Sequence, residues 1–595
     1  MSMAMRKHKS ASAIVKPMNG SLPTGRVRTL LFFVFLVGIA VILRLTVVQV
    51  FEADKWKAVA ENQQSVSAEL TPDRGEIYFQ ERDTIYPAAV NREAPLLYLV
   101  PGEVENVKTT AEALSSILGV PADEIRAKCQ NLDSQYAPIK KKLSDDEAAK
   151  VTELGLPGVY LRKEKNRFYP GGDLAAQVVG FVSPGDPGKG EVGRYGFESW
   201  FDAELRGKSG QVDQMRDAAG RWISTDDRVV VPAEKGPDVV LTIDQVIQHE
   251  AEKIVRDSVE KYAGVGGSVI VMDAASGRIL AMASDPSFDP NEYGKTEDYF
   301  RFINPTVSMT YEPGSTMKPI TMAIGIDDGK VEPETPFFDP GSVTLSGYTL
   351  HNAEEKTYGK TDMYGVLDNS INMGVISVER QVGNARFAER MSQFGFGKKT
   401  DIDLPAELSG NLRNLADTKR DIQFYTASFG QGITTTPIQL ISAYGALANK
   451  GVLMKPQIVQ KYVYEDGHER IVEPEEVRRV VSEDTAAKMG KMLESVVLRG
   501  HGKRAAVPGY RVGGKTGTAQ VAKEGGGGYE QGLSIGSFVG YAPIGDPKYV
   551  ILTKVDNPKN VEWAESSAAP MFGSMMKFLL SYGKIEPTEP IPGAK

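Results

Sequence analysis

From Leu30 to Phe51 the chain reads LLFFVFLVGIAVILRLTVVQVF, an apolar run carrying one charge, Arg44. About 20 such residues span the hydrocarbon core of a bilayer, where a single segment satisfies its own backbone polar groups only as a helix. The run therefore settles one element first: a single transmembrane helix over residues 29–51. The segment before it holds Arg6, Lys7, Lys9, Lys16, Arg26 and Arg28 and no acidic residue. Positively charged flanks stay in the cytoplasm, so residues 1–28 form a cytoplasmic tail and the remainder lies outside the cytoplasmic (inner) membrane. A cleaved signal peptide would need a shorter core and a small-residue cleavage site. Here VVQVFEADKW follows, so the helix is read as a retained anchor. Arg44 is expected to snorkel toward the outer interface, the alternative being a polar partner on another membrane protein.

A chain of 595 residues leaves room for several domains beyond the anchor. Its 69 basic residues are outnumbered by 77 acidic ones, for a net charge of −8, which excludes a general nucleic-acid binder. The single cysteine, Cys129, rules out an internal disulfide and a cysteine metal site. The five histidines (His8, His249, His351, His468, His501) form no HExxH, so no metal or other cofactor is expected.

Residues 52–232 read as mixed α/β. TTAEALSSILG and SDDEAAKVTELG are helical patterns closed by glycine, while APLLYLVPG and LAAQVVGFV are strand-like. From residue 233 the texture changes. The strand DVVLTI leads to Asp244 as an N-cap, then to the amphipathic helix QVIQHEAEKIVRDSVEKY. In GGSVIVMDAASGRILAMAS two apolar strands flank a turn, a hairpin signal. Helices and strands then alternate to about residue 585. Residues 586–595, with three prolines, read as a flexible C-terminal tail.

The chemistry begins at YEPGSTMKPI, where Ser315 and Lys318 follow a Pro-Gly turn. Positions three apart share a helix face. A serine at a helix start also has unpaired backbone N–H groups and the positive dipole end beside it. A serine hydroxyl needs a base to become a nucleophile, and a lysine serves when burial or a nearby cation lowers its pKa. Alone, the pair supports only a capped helix with a surface lysine. Two further elements alter that. LDNSINMGV carries Ser370 and Asn372, a spacing that suits a turn aiming both side chains into one cleft. VGGKTGTAQ carries Lys515, Thr516, Gly517 and Thr518, which offer a cation, two hydroxyls and, at Gly517, room for close backbone approach. The order S-x-x-K, S-x-N, K-T-G resembles that of two groups of serine acyl-transfer enzymes, the penicillin-binding proteins and the class A β-lactamases. GYRVGGKT also fits a phosphate-binding loop, but Pro508 spoils the strand before it and Gly517 with the later glycine run spoils the helix after it.

With these motifs, together with ASFGQGITTTPIQL, SFVGYAPIGDPKYV, RGEI, RFYPGGDLAAQVVGFV and GRYGFESWFDAELRGKSG, the chain resembles the class B penicillin-binding proteins. EPGST with KTGTAQ is most similar to the septal, FtsI-type members, the elongation type being the alternative. One departure is that the family usually continues R-G-x-I with Asp-Arg-Asn-Gly, where this chain has YFQERDT. The resemblance implies a pedestal (dimerisation-type) domain over 52–232 and a transpeptidase domain over 233–585. It implies an α+β catalytic fold, an antiparallel sheet with helices on both sides. It further implies a peptidoglycan D,D-transpeptidase acting through an acyl-enzyme. Ser315 would be the acylated residue and Lys318 its base. Ser370 and Asn372 would relay the proton and hold the peptide, and Lys515 would support the electrostatics. Thr516 and Thr518 would bind the terminal carboxylate, and the backbone N–H groups of Ser315 and Thr518 would form the oxyanion hole. Implied partners are peptidoglycan stem peptides, β-lactams that trap the acyl-enzyme, and division proteins. No histidine lies between His8 and His249, so glycan polymerisation is left to a partner, a polytopic membrane glycosyltransferase. The rivals are a β-lactamase, for which Glu407 and Asn411 supply an E-x-x-x-N spacing, a D,D-carboxypeptidase and a silent divisome scaffold. Gly525 to Gly528 read as a flexible hairpin loop.

Overall fold

The computed structural model describes residues 24–53, 55–56, 65–185, 190–215, 230–345, 347–523 and 528–590. They fall into two compact units, one joining residues up to 71 with 209–233, the other joining 72–208 with 234 onward.

The first unit carries helix α1 (Thr24–Thr46), which continues as a π-type turn over Val47–Phe51. Among the described residues, Val27–Phe51 is the one helix long and apolar enough to cross a membrane. Arg44 Nη2 lies 3.9 Å from Oε2 of Glu52, the residue after this segment. Ser65–Leu70, Gly210–Met215 and Val230–Val231 form a three-stranded antiparallel sheet in the same unit.

The second unit opens with β1 (Ile77–Glu81) and β2 (Thr84–Leu99), joined through Arg82 at φ 49°. β3 (Ala137–Lys140) and β4 (Val159–Phe168) both pair with β2. The helices Val107–Leu118 and Asp145–Leu154 pack Leu114, Leu118 and Val151 against Leu97 and Leu99. Both end where glycine was expected, at Gly119 (φ 69°) and Gly155 (φ 55°), and a Ser144–Glu147 capping box opens the second. LAAQVVGFV departs from the strand expected of it. Ala176–Val179 is one helical turn, and only Phe181–Pro184 is extended. A short run buried on all sides has no period to separate helix from strand. The turn is set from outside, where the Gln177 amide donates to the carbonyls of Pro286 and Arg301 at 3.0 and 3.1 Å.

RGEI, RFYPGG and GRYGFESW, far apart in the chain, meet at one buried ion cluster. Glu198, fully buried, accepts from Arg74 Nε at 2.8 Å and from Arg167 Nε at 2.7 Å, and Arg74 also reaches Asp202 at 2.8 Å.

β5 (Asp238–Asp244) pairs in parallel with β1 and antiparallel with β8 (Val459–Val463), whose outer neighbour is β9 (Glu469–Ile471). One sheet, in the order β9-β8-β5-β1-β2-β3, therefore runs from the N-terminal strands into the C-terminal half. Asp244 caps α2 (Gln245–Tyr262) as expected, accepting from the N–H groups of Val246 and Ile247.

The second sheet positions the site. β6 (Gly266–Asp273) and β7 (Ile279–Asp285) form the expected hairpin, its turn fixed by Asp273 accepting from Ser276. With β10 (Gly513–Ala522), β11 (Tyr529–Ala542) and β12 (Tyr549–Asp556) they build a five-stranded, wholly antiparallel sheet in the order β7-β6-β12-β11-β10. Strand residues alternate between faces. Val269, Val271, Ile551 and Val555 meet α2 and the C-terminal helix α8 (Ala568–Tyr582). Ile270, Met272, Val550 and Leu552 enter the larger core with α3 (Lys318–Asp327), α6 (Pro437–Ala448) and α7 (Glu483–Leu498). This is the expected antiparallel sheet between helices. The described part of the C-terminal segment is tied down rather than loose, since the N–H groups of Thr588 and Glu589 donate to Gly509 O at 2.9 and 3.1 Å.

Candidate active site

Ser315 sits on a strapped turn. Tyr311 bridges Thr435, Gly314 N donates to Gly430 O at 3.1 Å, Thr321 Oγ1 donates to Ser428 O at 2.7 Å, and Tyr444 Oη donates to Thr316 O at 2.7 Å. A Cβ at Gly430 (φ 82°) would lie 2.2 Å from Gly314 O, so this strap closes only with glycine. Held this way, Gly314–Met317 forms a 3₁₀ turn that runs into α3, with Pro319 in the first turn, where no N–H is missed. Ser315 is partly buried, and its Oγ makes no hydrogen bond among the described residues. Lys318 is 1% exposed.

The second wall is the S-x-N turn. Helix α4 (Met363–Asp368) ends, Ser370 takes φ 55°, Ile371 is fully buried, and Asn372 opens α5 (Asn372–Val382). A non-glycine residue in the left-handed region is strained, and such strain collects at functional positions. It turns the Ser370 hydroxyl to Lys318, whose Nζ donates to Ser370 Oγ at 3.0 Å and also to the Ser370 carbonyl. Asn372 Nδ2 donates to His351 O at 2.8 Å.

The third wall is β10, the outer strand of its sheet. A Cβ at Gly517 would lie 2.8 Å from each of Pro313 O, Thr316 Cγ2 and Ser537 Oγ, so here the strand crosses the Ser315 turn with no space to spare. Lys515 is fully buried, with Nζ donating to the carbonyl and hydroxyl of Thr516 at 3.1 and 3.3 Å. Thr518 Oγ1 accepts from Ala564 N at 3.1 Å, joining β10 to the loop before α8.

Two buried amines thus share one site. Burial, and then the charge of Lys515, hold the Lys318 pKa well below the ordinary lysine value. Burial lowers Lys515 to about 7 against the opposing pull of Asp368 and Glu565. The lowered pKa favours the uncharged amine, the form a base requires, and Lys318 lies one hydrogen bond from Ser370.

Two carboxylates went unnoticed in the sequence although both lie inside the motif segments. Glu312 accepts from Gly432 N at 2.9 Å and from Tyr529 Oη at 3.0 Å, tying the nucleophile turn to the strap and to β11. Asp368 accepts from Ser495 Oγ at 2.6 and 2.8 Å and is close enough to Lys515 to act on its charge. Burial raises the pKa of both. Their adjacency to EPGST and NSIN is the only sequence signal, and a surface carboxylate would give the same one.

Glu407 has a different use. It accepts from Thr400 N and Oγ1 at 2.6 Å each and from Asp401 N at 3.1 Å, closing its own loop. GYRVGGKT runs straight into strand β10 with no helix after it. Residues 524–527 of the glycine run lie outside the described residues. Among the described residues no group of three or more His, Cys, Asp or Glu could hold a metal ion.

Residues 267–577 match the penicillin binding protein transpeptidase domain, and residues 69–241 match the penicillin-binding protein dimerisation domain. Stage V sporulation protein D of Bacillus subtilis is 33% identical over 561 residues, covering 93% of this chain and 85% of its own. Peptidoglycan D,D-transpeptidase FtsI of Escherichia coli is 29% identical over 518 residues, covering 86% and 84%. The crystal structure of penicillin binding protein 3 from Mycobacterium tuberculosis, complexed with aztreonam, superposes with a TM-score of 0.67 at 28% identity, covering 88% of this chain and 99% of that one. A transpeptidase match over more than half the chain, preceded by the dimerisation match, leaves one assignment: the chain belongs to the class B penicillin-binding proteins.

Proposed function

We propose that the chain crosslinks peptidoglycan at the division septum through an acyl-enzyme on Ser315. The observation that carries this is the buried Lys318, its pKa held well below the usual lysine value and its Nζ bonded to Ser370 Oγ, three residues beyond a partly buried serine whose hydroxyl makes no hydrogen bond among the described residues. Lys318 Nζ takes the Ser315 proton as Oγ attacks the carbonyl between two D-alanines of a stem peptide. The tetrahedral oxyanion is received by the N–H groups of Ser315 and Thr518, each donor worth about 3–4 kcal/mol. Ser370 passes the proton from Lys318 to the leaving amine, and the C–N bond breaks as D-alanine departs. Asn372 holds the peptide. Thr516 and Thr518 receive its terminal carboxylate with Lys515 supporting the electrostatics, and the outer edge of β10 accepts the extended chain as an added strand. The amine of a second stem peptide then forms the new C–N bond, and Ser315 Oγ leaves with a proton. A β-lactam enters the first half of this sequence and stays.

We read residues 52–232 as the pedestal and 233–585 as the catalytic domain, outside the cytoplasmic membrane on a single anchor. The septal role rests on EPGST with KTGTAQ and on the likeness to FtsI. A membrane glycosyltransferase and other division proteins are the proposed partners.

Labelling with a fluorescent penicillin tests the mechanism. Wild type takes the label and keeps it for hours, whereas Ser315→Ala takes none. Unchanged labelling of the variant would sink the assignment, and rapid loss from wild type would make the protein a hydrolase. Imaging a tagged chain tests the septal role, which side-wall fluorescence without septal enrichment would contradict.

A further inference from the structure

The S-x-x-K, S-x-N and K-T-G motifs leave one titratable pair beside the site without a task. His501 follows α7, and its Nδ1 lies 2.9 Å from Oε2 of Glu565, in the loop before α8. Both side chains are open to solvent, at 46% and 41% exposure. The pair is built onto two walls of the cleft. His501 N donates to Asp368 O at 3.3 Å, two residues before Ser370, and a Cβ at Gly500 would lie 2.4 Å from that same carbonyl. Glu565 follows Ala564, whose N–H donates to Thr518 Oγ1 at 3.1 Å. Glu565 is close enough to Lys515 on β10 to act on its charge, as is Asp368 on α4, which Arg499 at the end of α7 approaches to 3.3 Å.

An imidazole whose Nδ1 is held by a carboxylate has a fixed orientation and presents Nε2 as a proton acceptor. Here Nε2 has no partner among the described residues, and the side chain that carries it is 46% exposed. The acyl-transfer cycle needs such a group once. Acylation has its base in Lys318, but the second substrate is an amine that arrives protonated and cannot attack until it loses a proton.

We infer that His501, oriented by Glu565, accepts the proton of the acceptor amine in the second half of the reaction. This rests on the transpeptidase reading above. The acceptor ammonium gives one proton to His501 Nε2. The free amine attacks the Ser315 ester, the C–N bond forms, and the C–Oγ bond breaks. The second amine proton leaves through Ser370 and Lys318 to Ser315 Oγ, and His501 returns its proton to water. His501 would touch the substrate, and Glu565 would act through it as a positioning residue.

The test uses the full-length protein in detergent, a thioester of a D-alanyl-type acyl donor, and D-alanine as acceptor amine. It measures the ratio of aminolysis to hydrolysis alongside fluorescent-penicillin labelling. His501→Ala should keep the labelling rate of wild type while its aminolysis falls about 100-fold. Added imidazole should restore part of that loss. Glu565→Gln should lower the aminolysis rate at saturating D-alanine and leave the acceptor KM unchanged. An unchanged aminolysis-to-hydrolysis ratio in His501→Ala would overturn the inference. So would an equal fall of labelling and aminolysis without imidazole rescue, which would make the pair a prop for the loop. A wild type that never takes label would overturn the transpeptidase reading itself, and the dyad's role with it.

Discussion

Lys318 and Lys515 are both sealed from water, yet their environments separate their tasks. Lys318 is pushed well below the usual lysine value, toward the uncharged form that the proposed base needs. Lys515, lowered to about 7, still carries a proton on the acid side of neutrality. Acylation is therefore lost as pH falls through the Lys318 value, since a protonated amine accepts nothing. Binding of the substrate carboxylate weakens as pH rises past about 7, where Lys515 loses its charge. A penicillin-acylation profile across pH 5–10 should show both limbs, as macroscopic values of a coupled pair. Lys515→Arg keeps its charge throughout and should flatten the alkaline limb. Lys318→Met removes the base and should slow acylation by about 10²–10⁴-fold. The order of the motifs was legible in the residues. The bond from Lys318 to Ser370 was not, because it depends on a backbone turn at φ 55° that no residue type at position 370 demands.

At the scale of elements, the site is a crossing of a 3₁₀ turn, a helix start and a sheet edge. The tightest crossing is Gly517 over Pro313 and Thr316. Gly517→Ala must push β10 away from Ser315, at a cost of about 1–3 kcal/mol for overpacking. It should lower the melting temperature by several degrees and reduce penicillin labelling together, and a variant that labels like wild type would contradict the crossing. Helix ends such as Asp244, Gly119 and Gly155 were legible because a cap is a bond between near neighbours in the chain. The turn at Ala176–Val179 was not, because its direction comes from Gln177 reaching carbonyls more than a hundred residues away.

At the scale of the whole molecule, the stretches RGEI, RFYPGG and GRYGFESW become one buried ion cluster under the shared sheet. Glu198→Ala would strand Arg74 and Arg167 without their common counter-charge, at a cost of about 3–5 kcal/mol. Denaturant unfolding of a soluble form lacking α1 should show that loss, and a midpoint within error of the parent would refute it. The strand β5 crosses from one sequence region to the other in the same sheet, so damage at Glu198 should also reach the catalytic half.

The sequence by itself determined the membrane span, the helix ends and the β6–β7 hairpin, and it marked the candidate reacting residues. Each follows from an energy term set by near neighbours: hydropathy over one segment, a cap, a turn, or a motif spacing. Only the tertiary structure decided that two lysines are dry and share one site, that Ser370 faces Lys318, that Glu407 serves its own loop, and that His501 meets Glu565 between two walls of the cleft. Desolvation and convergence are sums over residues up to hundreds of positions apart, and no local pattern in the chain carries them.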